Sequence, residues 1–125
     1  MVDFKNATFV KLAKVSNGVV SDDIKNLLIP GEELICAYKG VRDFVVFTDK
    51  RFVSVNVQGL TGKKKDYTSM PYNKISVFSI ETAGLLDLDS ELEMYFSGLG
   101  RVKFEFTGKS DIVEIGRFIS EQMFK

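Results

Sequence analysis

Apolar and polar residues alternate with a period of two over most of the chain between residues 33 and 106, which is typical of β-strands with one buried face. The clearest alternations cover residues 91–97 and 101–106. Short turn-forming segments such as Asp49–Lys50 and Ser97–Gly100 separate the strands and predict hairpins. The pattern predicts seven strands, at residues 33–38, 44–48, 51–57, 64–69, 75–80, 91–97 and 101–106.

Two finer features follow from this pattern. The apolar residues of the fifth predicted strand change parity at Val77–Phe78, so a bulge there would keep them all inside. In the last hairpin, Glu91 and Glu93 are expected to lie across from Lys103 and Arg101. That arrangement predicts ion pairs on the polar face.

The two ends of the chain have helical spacing instead. Ser110 or Asp111 would cap a C-terminal helix, whose apolar stripe consists of Ile112, Ile115, Phe118, Ile119 and Met123. Near the start, one helical pattern contains Phe4, Ala7, Phe9, Leu12 and Ala13, and a second contains Ile24, Leu27 and Leu28. Asn17–Gly18 is interpreted as the turn between them, Ser21 or Asp22 as the cap of the second, and Pro30–Gly31 as its end.

These elements predict a mainly β protein with two parts. Residues 1–30 would be an extension of two short helices, or of a helix and an arm, and residues 31–125 would be the main unit. Seven antiparallel strands followed by one helix favour a pleckstrin-homology-like (PH-like) barrel of two near-orthogonal sheets capped by the C-terminal helix. An all-β sandwich is the alternative, but it would leave the apolar stripe of the last helix without a partner.

Composition narrows the function classes. The chain has 125 residues with 45% hydrophobic residues, no His and a single Cys. One compact domain is expected, without an intrachain disulfide, a histidine-dependent catalytic triad or a typical zinc-hydrolase site. Cys36 lies in an apolar strand and is expected to be inert. We therefore predict no enzyme activity, catalytic residue, cofactor or metal.

The segment Met1–Phe9 lacks the apolar core of a secretory signal, and no window approaches the roughly 20 apolar residues that would cross a bilayer. A cytoplasmic location is expected.

Charge is balanced in total, with 17 basic and 17 acidic residues, but it is segregated along the chain. The segment 39–74 has eight basic and three acidic residues, whereas the segment 75–100 has five acidic residues and no basic one. Such blocks either coat solvated strand faces or form complementary faces through which identical chains attract each other.

Three features of the sequence bear on possible binding sites. Gly62–Lys65 is the densest cationic cluster, but it lacks phosphate-loop spacing and leads into a strand, so an anion or lipid site competes with a solvated strand end. Asp87–Glu91 fits neither a calcium loop nor an acid–base pair, and its acids are expected to meet Arg42, Arg51 or the lysines of a neighbouring chain. No nucleic-acid partner is expected, because only Phe52 and Tyr67 could stack on bases.

Several long segments closely resemble the bacterial PH-domain family, once known only as a domain of unknown function. They are residues 40–44, 47–51, 59–72, 78–84 and 87–92, within a match from Glu32 to Gln122. The resemblance implies a PH-like barrel, ring-like homo-oligomers of five chains and no established catalytic activity. The phosphoinositide signature of eukaryotic PH domains is reduced here to Lys39 and Arg42 followed by Asp43, and Phe118 replaces the usual Trp.

The sequence thus predicts a non-enzymatic PH-like module that self-assembles into a ring and serves as a scaffold for an unknown protein partner. A peripheral membrane module that binds anionic lipid or a phosphoinositide-like headgroup is the alternative. The residues expected to form the oligomer or ligand patch are Lys39, Arg42, Arg51, Lys63, Lys64, Lys65, Glu81, Asp87 and Asp89.

Overall fold

The structure is a computed structural model that describes residues 1–108 and 111–125. Within these residues the fold consists of eight strands, two helices and a 3₁₀ turn at Tyr72–Lys74. The helices are α1 (Asn17–Ile24) and α2 (Ile112–Met123). The strands are β1 (Ala7–Val15), β2 (Leu34–Lys39), β3 (Phe44–Thr48), β4 (Arg51–Gln58), β5 (Lys64–Pro71), β6 (Ile75–Glu81), β7 (Ser90–Phe96) and β8 (Gly100–Phe106).

All eight strands form one curled sheet in the order β5-β4-β3-β2-β1-β8-β7-β6, with α2 packed against β6, β7 and the 3₁₀ turn. The seven predicted strands are therefore confirmed as β2 to β8, and the C-terminal helix caps the half-barrel as expected. Three details differ from the prediction. There are eight strands because the N-terminal segment supplies β1, and β1 pairs with β8 in parallel rather than antiparallel orientation. Since β1 also pairs with β2, the strands form one continuous curled sheet instead of the two separate sheets expected.

The helix predicted around Phe4 to Ala13 is wrong, because residues 7–15 form β1. The error has a local cause. A register shift lies between Phe9 and Leu12, and Lys11 has a φ of 54°, in the left-handed region. Because of this irregularity, the buried side chains of Phe9 and Leu12 lie on the same face although they are three residues apart. A spacing of three residues on one face is typical of a helix.

The boundaries predicted for the next helix are also wrong. Asn17 and Gly18 begin α1 instead of forming a turn, Ser16 is its N-cap, and Ser21 and Asp22 lie inside the helix. The buried side chains of this helix are Val20 and Ile24. They pack on Ala37, Phe44, Val46, Val53 and Val55 in a small second cluster.

The main core fills the inside of the curl and is rich in aromatic rings. Phe52 lies at its centre, with ring centroids 5.9 Å from Phe47 and 5.6 Å from Phe104. All five residues of β3 are buried, because the main core covers one of its faces and the α1 cluster covers the other. A strand covered on both faces is expected to be apolar throughout, as Phe44–Thr48 largely is.

Helix α2 closes the curl through the predicted apolar stripe. Ile112, Ile115 and Ile119 are buried, and Phe118 packs edge-on against Tyr72 with ring centroids 5.6 Å apart. The side chain of Asp111 accepts a hydrogen bond from the backbone N–H of Glu114 at 3.1 Å, so Asp111 is the N-cap. The alternative cap, Ser110, lies outside the described residues.

Strand β6 has the expected irregularity, which the structure places between Ile75 and Val77. The prediction that this irregularity keeps all apolar residues of the strand inside is wrong, because Val77 is 63% exposed. Phe78 and Ile80 instead pack against the main core, where their side chains lie against Gly116 of α2.

Candidate functional site

A basic groove lies where the β2–β3 loop meets the β4–β5 loop. We define it by Lys39, Arg42, Leu60 and Lys65, which line a depression of about 420 Å³ together with residues of α1. Lys39 and Arg42 are exposed, and the Arg42 guanidinium donates a hydrogen bond to the Gly59 carbonyl oxygen, so the two loops are tied together. The structure thus brings these predicted site residues to one end of the sheet.

The three consecutive lysines have different surroundings. Lys65 pairs with Asp23 of α1 at 2.6 Å, and this contact raises the pKa of its ammonium group. The neighbouring Tyr67 hydroxyl donates to the Asp23 carbonyl oxygen at 3.0 Å. Lys65 therefore holds α1 against β5, whereas Lys63 and Lys64 are exposed cations that do not line the groove.

Sequence reasoning missed the apolar residues of this region. Val41 is 92% exposed at the tip of the β2–β3 loop, and Leu60 is fully exposed at the tip of the β4–β5 loop. Each lies close to a cation in the sequence, Arg42 in the first case and Lys63 in the second. In the sequence, each of them is a single apolar residue within a polar loop. That pattern does not show whether the side chain is exposed or buried, so it could not identify either residue as part of a binding surface.

Asp43, which follows Arg42, is turned away from the groove. Its carboxylate accepts a hydrogen bond from the Asn56 side-chain amide at 2.7 Å, and partial burial raises its pKa. It therefore does not line the basic groove, although its position in the sequence argued against an anion site.

Arg51 is not part of this groove. It begins β4, whereas Gly59 follows the end of that strand, about 25 Å away for eight extended residues. Its guanidinium makes two hydrogen bonds to the Glu32 carboxylate, both of 2.9 Å, and the Glu32 side chain is fully buried. Further bonds of 2.9 Å go to the Ser69 hydroxyl and the Leu27 carbonyl oxygen. The Arg51 hydrogen bonds, acting with that of the Thr48 hydroxyl, lower the pKa of Glu32 to about 2.

The predicted acidic residues lie at the other edge of the sheet. Glu81 ends β6, and Asp87 and Asp89 lie in the loop that leads to β7. Asp87 accepts a hydrogen bond from the Asp89 backbone N–H at 3.0 Å, which shapes the loop. Among the residues that the structure describes, no group of three potential metal ligands occurs.

The other acids of the negative block are paired within the chain. Glu93 contacts Arg101 at 3.2 Å and Glu91 contacts Lys103 at 3.1 Å, which confirms the ion pairs predicted for the last hairpin. The register places Glu93 opposite Lys103, so both pairs run diagonally across the strands. Because these charges are balanced locally, the negative patch available at this edge consists of Glu81, Asp87 and Asp89.

An eight-stranded curled sheet closed by a C-terminal helix defines a PH-like fold, and comparisons with known proteins agree. The family described as the bacterial PH domain matches residues 3–123, so the chain belongs to that family. This confirms the resemblance found in the sequence.

Three relatives illustrate the family. The uncharacterized protein YjqA of Bacillus subtilis is 44% identical over 108 residues, covering 85% of this chain and 86% of that protein. A DUF1696 family protein with a pleckstrin-homology domain from Shewanella loihica has a TM-score of 0.78 at 35% identity, covering 91% of this chain and 98% of its own. The pleckstrin homology domain from Shewanella amazonensis has a TM-score of 0.66 at 40% identity, covering 87% and 89%.

No helix within residues 1–108 or 111–125 is long and apolar enough to span a membrane.

Proposed function

We propose that this chain is a non-enzymatic, cytoplasmic module that assembles head to tail into a ring-like homo-oligomer and presents that ring to a protein partner. The observation that carries the proposal is the opposite charge of the two edges of the sheet, formed by β5 and β6. Strand β5 and its preceding residue carry three lysines and one aspartate, whereas β6 and the following loop carry three acids and no base up to Asp89.

The topology supports assembly through these two edges. As the first and last strands of the sheet order, β5 and β6 each pair with one neighbour within the described chain. Edge strands are templates for pairing with another chain. Two different patches that attract each other produce a heterologous contact, which closes into a ring when the rotation between subunits allows it. A ring of five follows from the family resemblance, and the charge pattern supplies a reason for its orientation.

Charge reversal at Lys64 tests the proposal. Lys64 is exposed at the start of β5, and a glutamate there would face the negative patch of the neighbour. We expect Lys64→Glu to raise the dissociation constant of the assembly about tenfold or more at low salt, since like charges across an interface repel strongly. Light scattering over a series of protein and salt concentrations measures the mass.

Lys50→Glu is the matched control, because Lys50 is exposed in the β3–β4 turn, near the end of β5 that is opposite to Lys64. It should leave the mass unchanged. The double charge swap of Lys64→Glu with Asp87→Lys should restore assembly in part. A wild-type chain that stays monomeric at every concentration and salt would refute the proposal.

A peripheral membrane module is the second candidate, and the exposure of Val41 and Leu60 favours it. Apolar loop tips flanked by cations suit an anionic bilayer, where each nearby Lys or Arg contributes about 1 kcal/mol. Both tips belong to the basic groove region, so the same residues could receive a lipid headgroup.

Vesicle flotation at low ionic strength tests this second candidate. We expect the chain to float with vesicles that contain phosphatidylserine or a phosphoinositide and not with pure phosphatidylcholine. The double variant Val41→Ser/Leu60→Ser should lose at least half of the bound fraction, while Val113→Ser, at a site of 58% exposure on α2, should not. Failure of the wild-type chain to float with any anionic vesicle removes the candidate.

A further inference from the structure

A cleft of about 360 Å³ lies between the N-terminal half of α2 and strands β2 and β3. This volume falls within the range of about 300–1,000 Å³ that is usual for small-molecule sites. The walls are mainly apolar and come from strand and helix residues, which makes them part of the rigid fold. They consist of Ile35, Cys36, Tyr38, Phe47, Ile115 and Phe118.

Two neutral polar groups lie in this wall. Tyr38 is 3% exposed, and its hydroxyl shares a hydrogen bond with the neighbouring Cys36 thiol. Burial raises the pKa of the Cys36 thiol to about 11 and raises that of Tyr38 as well, so both groups stay protonated near neutral pH. The interior of the cleft is therefore uncharged near neutral pH, and the thiol is not a nucleophile there.

The mouth of the cleft is charged. Asp111 and Glu114 at the N-terminal end of α2 and Lys14 on β1 surround it, and all three are exposed. After burial, the charges of Asp111 and Glu114 also contribute to the raised pKa of Tyr38, and the charge of Lys14 opposes the rise in the pKa of Cys36. Two carboxylates against one ammonium leave the mouth with a net negative charge.

We propose that this cleft binds small organic amines that have an apolar, preferably aromatic, body. The body fits between the walls of β2 and α2, and the ammonium group lies at the mouth near Asp111 and Glu114. An aromatic ring suits the cleft because Tyr38, Phe47 and Phe118 supply ring surfaces. This site is separate from both sheet edges and from the basic groove, so it is independent of the proposed self-assembly.

The first test compares three probes of one shape on the full chain: phenethylamine, 2-phenylethanol and 3-phenylpropionate. Nuclear magnetic resonance titration follows the backbone signals of Cys36 and Ile115. We expect millimolar dissociation constants, with the amine binding about two- to fivefold more tightly than the alcohol and the carboxylate more weakly than both. Equal or tighter binding of the carboxylate, shifts confined to other regions, or no binding of any probe would overturn the proposal.

The second test changes the charge of the mouth in both directions. Glu114→Gln should weaken phenethylamine binding about threefold, and Lys14→Gln should strengthen it by a similar factor. Glu121→Gln is the matched control, since Glu121 is exposed on the same helix but does not line the cleft. Variants that shift binding in the same direction would contradict the assigned role of the mouth.

Discussion

Replacing Arg51 with alanine is expected to destabilise the fold by about 3–5 kcal/mol, because the substitution leaves the buried Glu32 carboxylate without its partner. The Glu32 side chain is 0% exposed and that of Arg51 is 17% exposed, so water cannot readily replace the lost hydrogen bonds. The substitution also removes bonds to Ser69 and Leu27, which connect β5 and the segment after α1. Urea unfolding monitored by circular dichroism measures the loss.

Arg101→Ala is the matched control for this prediction. Arg101 also pairs with a glutamate, but both side chains of that pair are 41% exposed. An exposed pair contributes less than about 1 kcal/mol, so this variant should unfold near the wild-type midpoint. If both arginine variants lost the same stability, the Glu32–Arg51 pair would not have the structural role assigned to it.

Gly100→Ala is expected to cost about 3–5 kcal/mol. Gly100 has a φ of +133°, and a Cβ atom there would overlap the Phe4 carbonyl oxygen and lie 2.8 Å from its carbon atom. The adjacent Arg101 N–H donates to that same oxygen at 2.6 Å, so the backbones approach closely at this point. The variant must displace the segment before β1 and expose Phe4, which otherwise packs edge-on against Phe96.

Gly98 supplies the control in the same hairpin. It also has a positive φ, +80°, but a Cβ atom at this position would have no other atom within 4 Å. Gly98→Ala should therefore cost only the backbone strain of about 1–2 kcal/mol. Thermal unfolding of the two variants separates strain from collision, and equal losses would show that the contact with Phe4 contributes little.

The first residues of the chain are fastened to the sheet by contacts distant in sequence. Phe4 contacts the β7–β8 hairpin, and Val2 donates its N–H to the Thr68 hydroxyl of β5 at 3.0 Å. The predicted division into residues 1–30 and 31–125 stays a prediction, but β1 lies hydrogen-bonded between β2 and β8. Deleting residues 1–15 would therefore remove β1, which lies in the middle of the sheet.

The candidate site was predictable only in part. Lys39, Arg42 and Lys65 line one groove because hairpin loops at one end of a sheet are neighbours. Arg51 was grouped with them by charge, yet the pair with Glu32 places it at the opposite end. The importance of Val41 and Leu60 depends on their exposure, and no local pattern separates an exposed loop valine from a buried one.

Residue patterns alone were enough to predict the strands β2 to β8, the final helix and the ion pairs of the last hairpin, because each depends on periodicity or on near neighbours. The three-dimensional fold was needed to show that residues 7–15 form a strand, that Arg51 neutralises a buried carboxylate and that a cleft opens beside Cys36. A strand with a bulge loses its period of two, and its partner β8 lies about 95 residues later in the chain. Such contacts are stabilised by burial and strand pairing across the whole fold, so they cannot be predicted from local residue patterns.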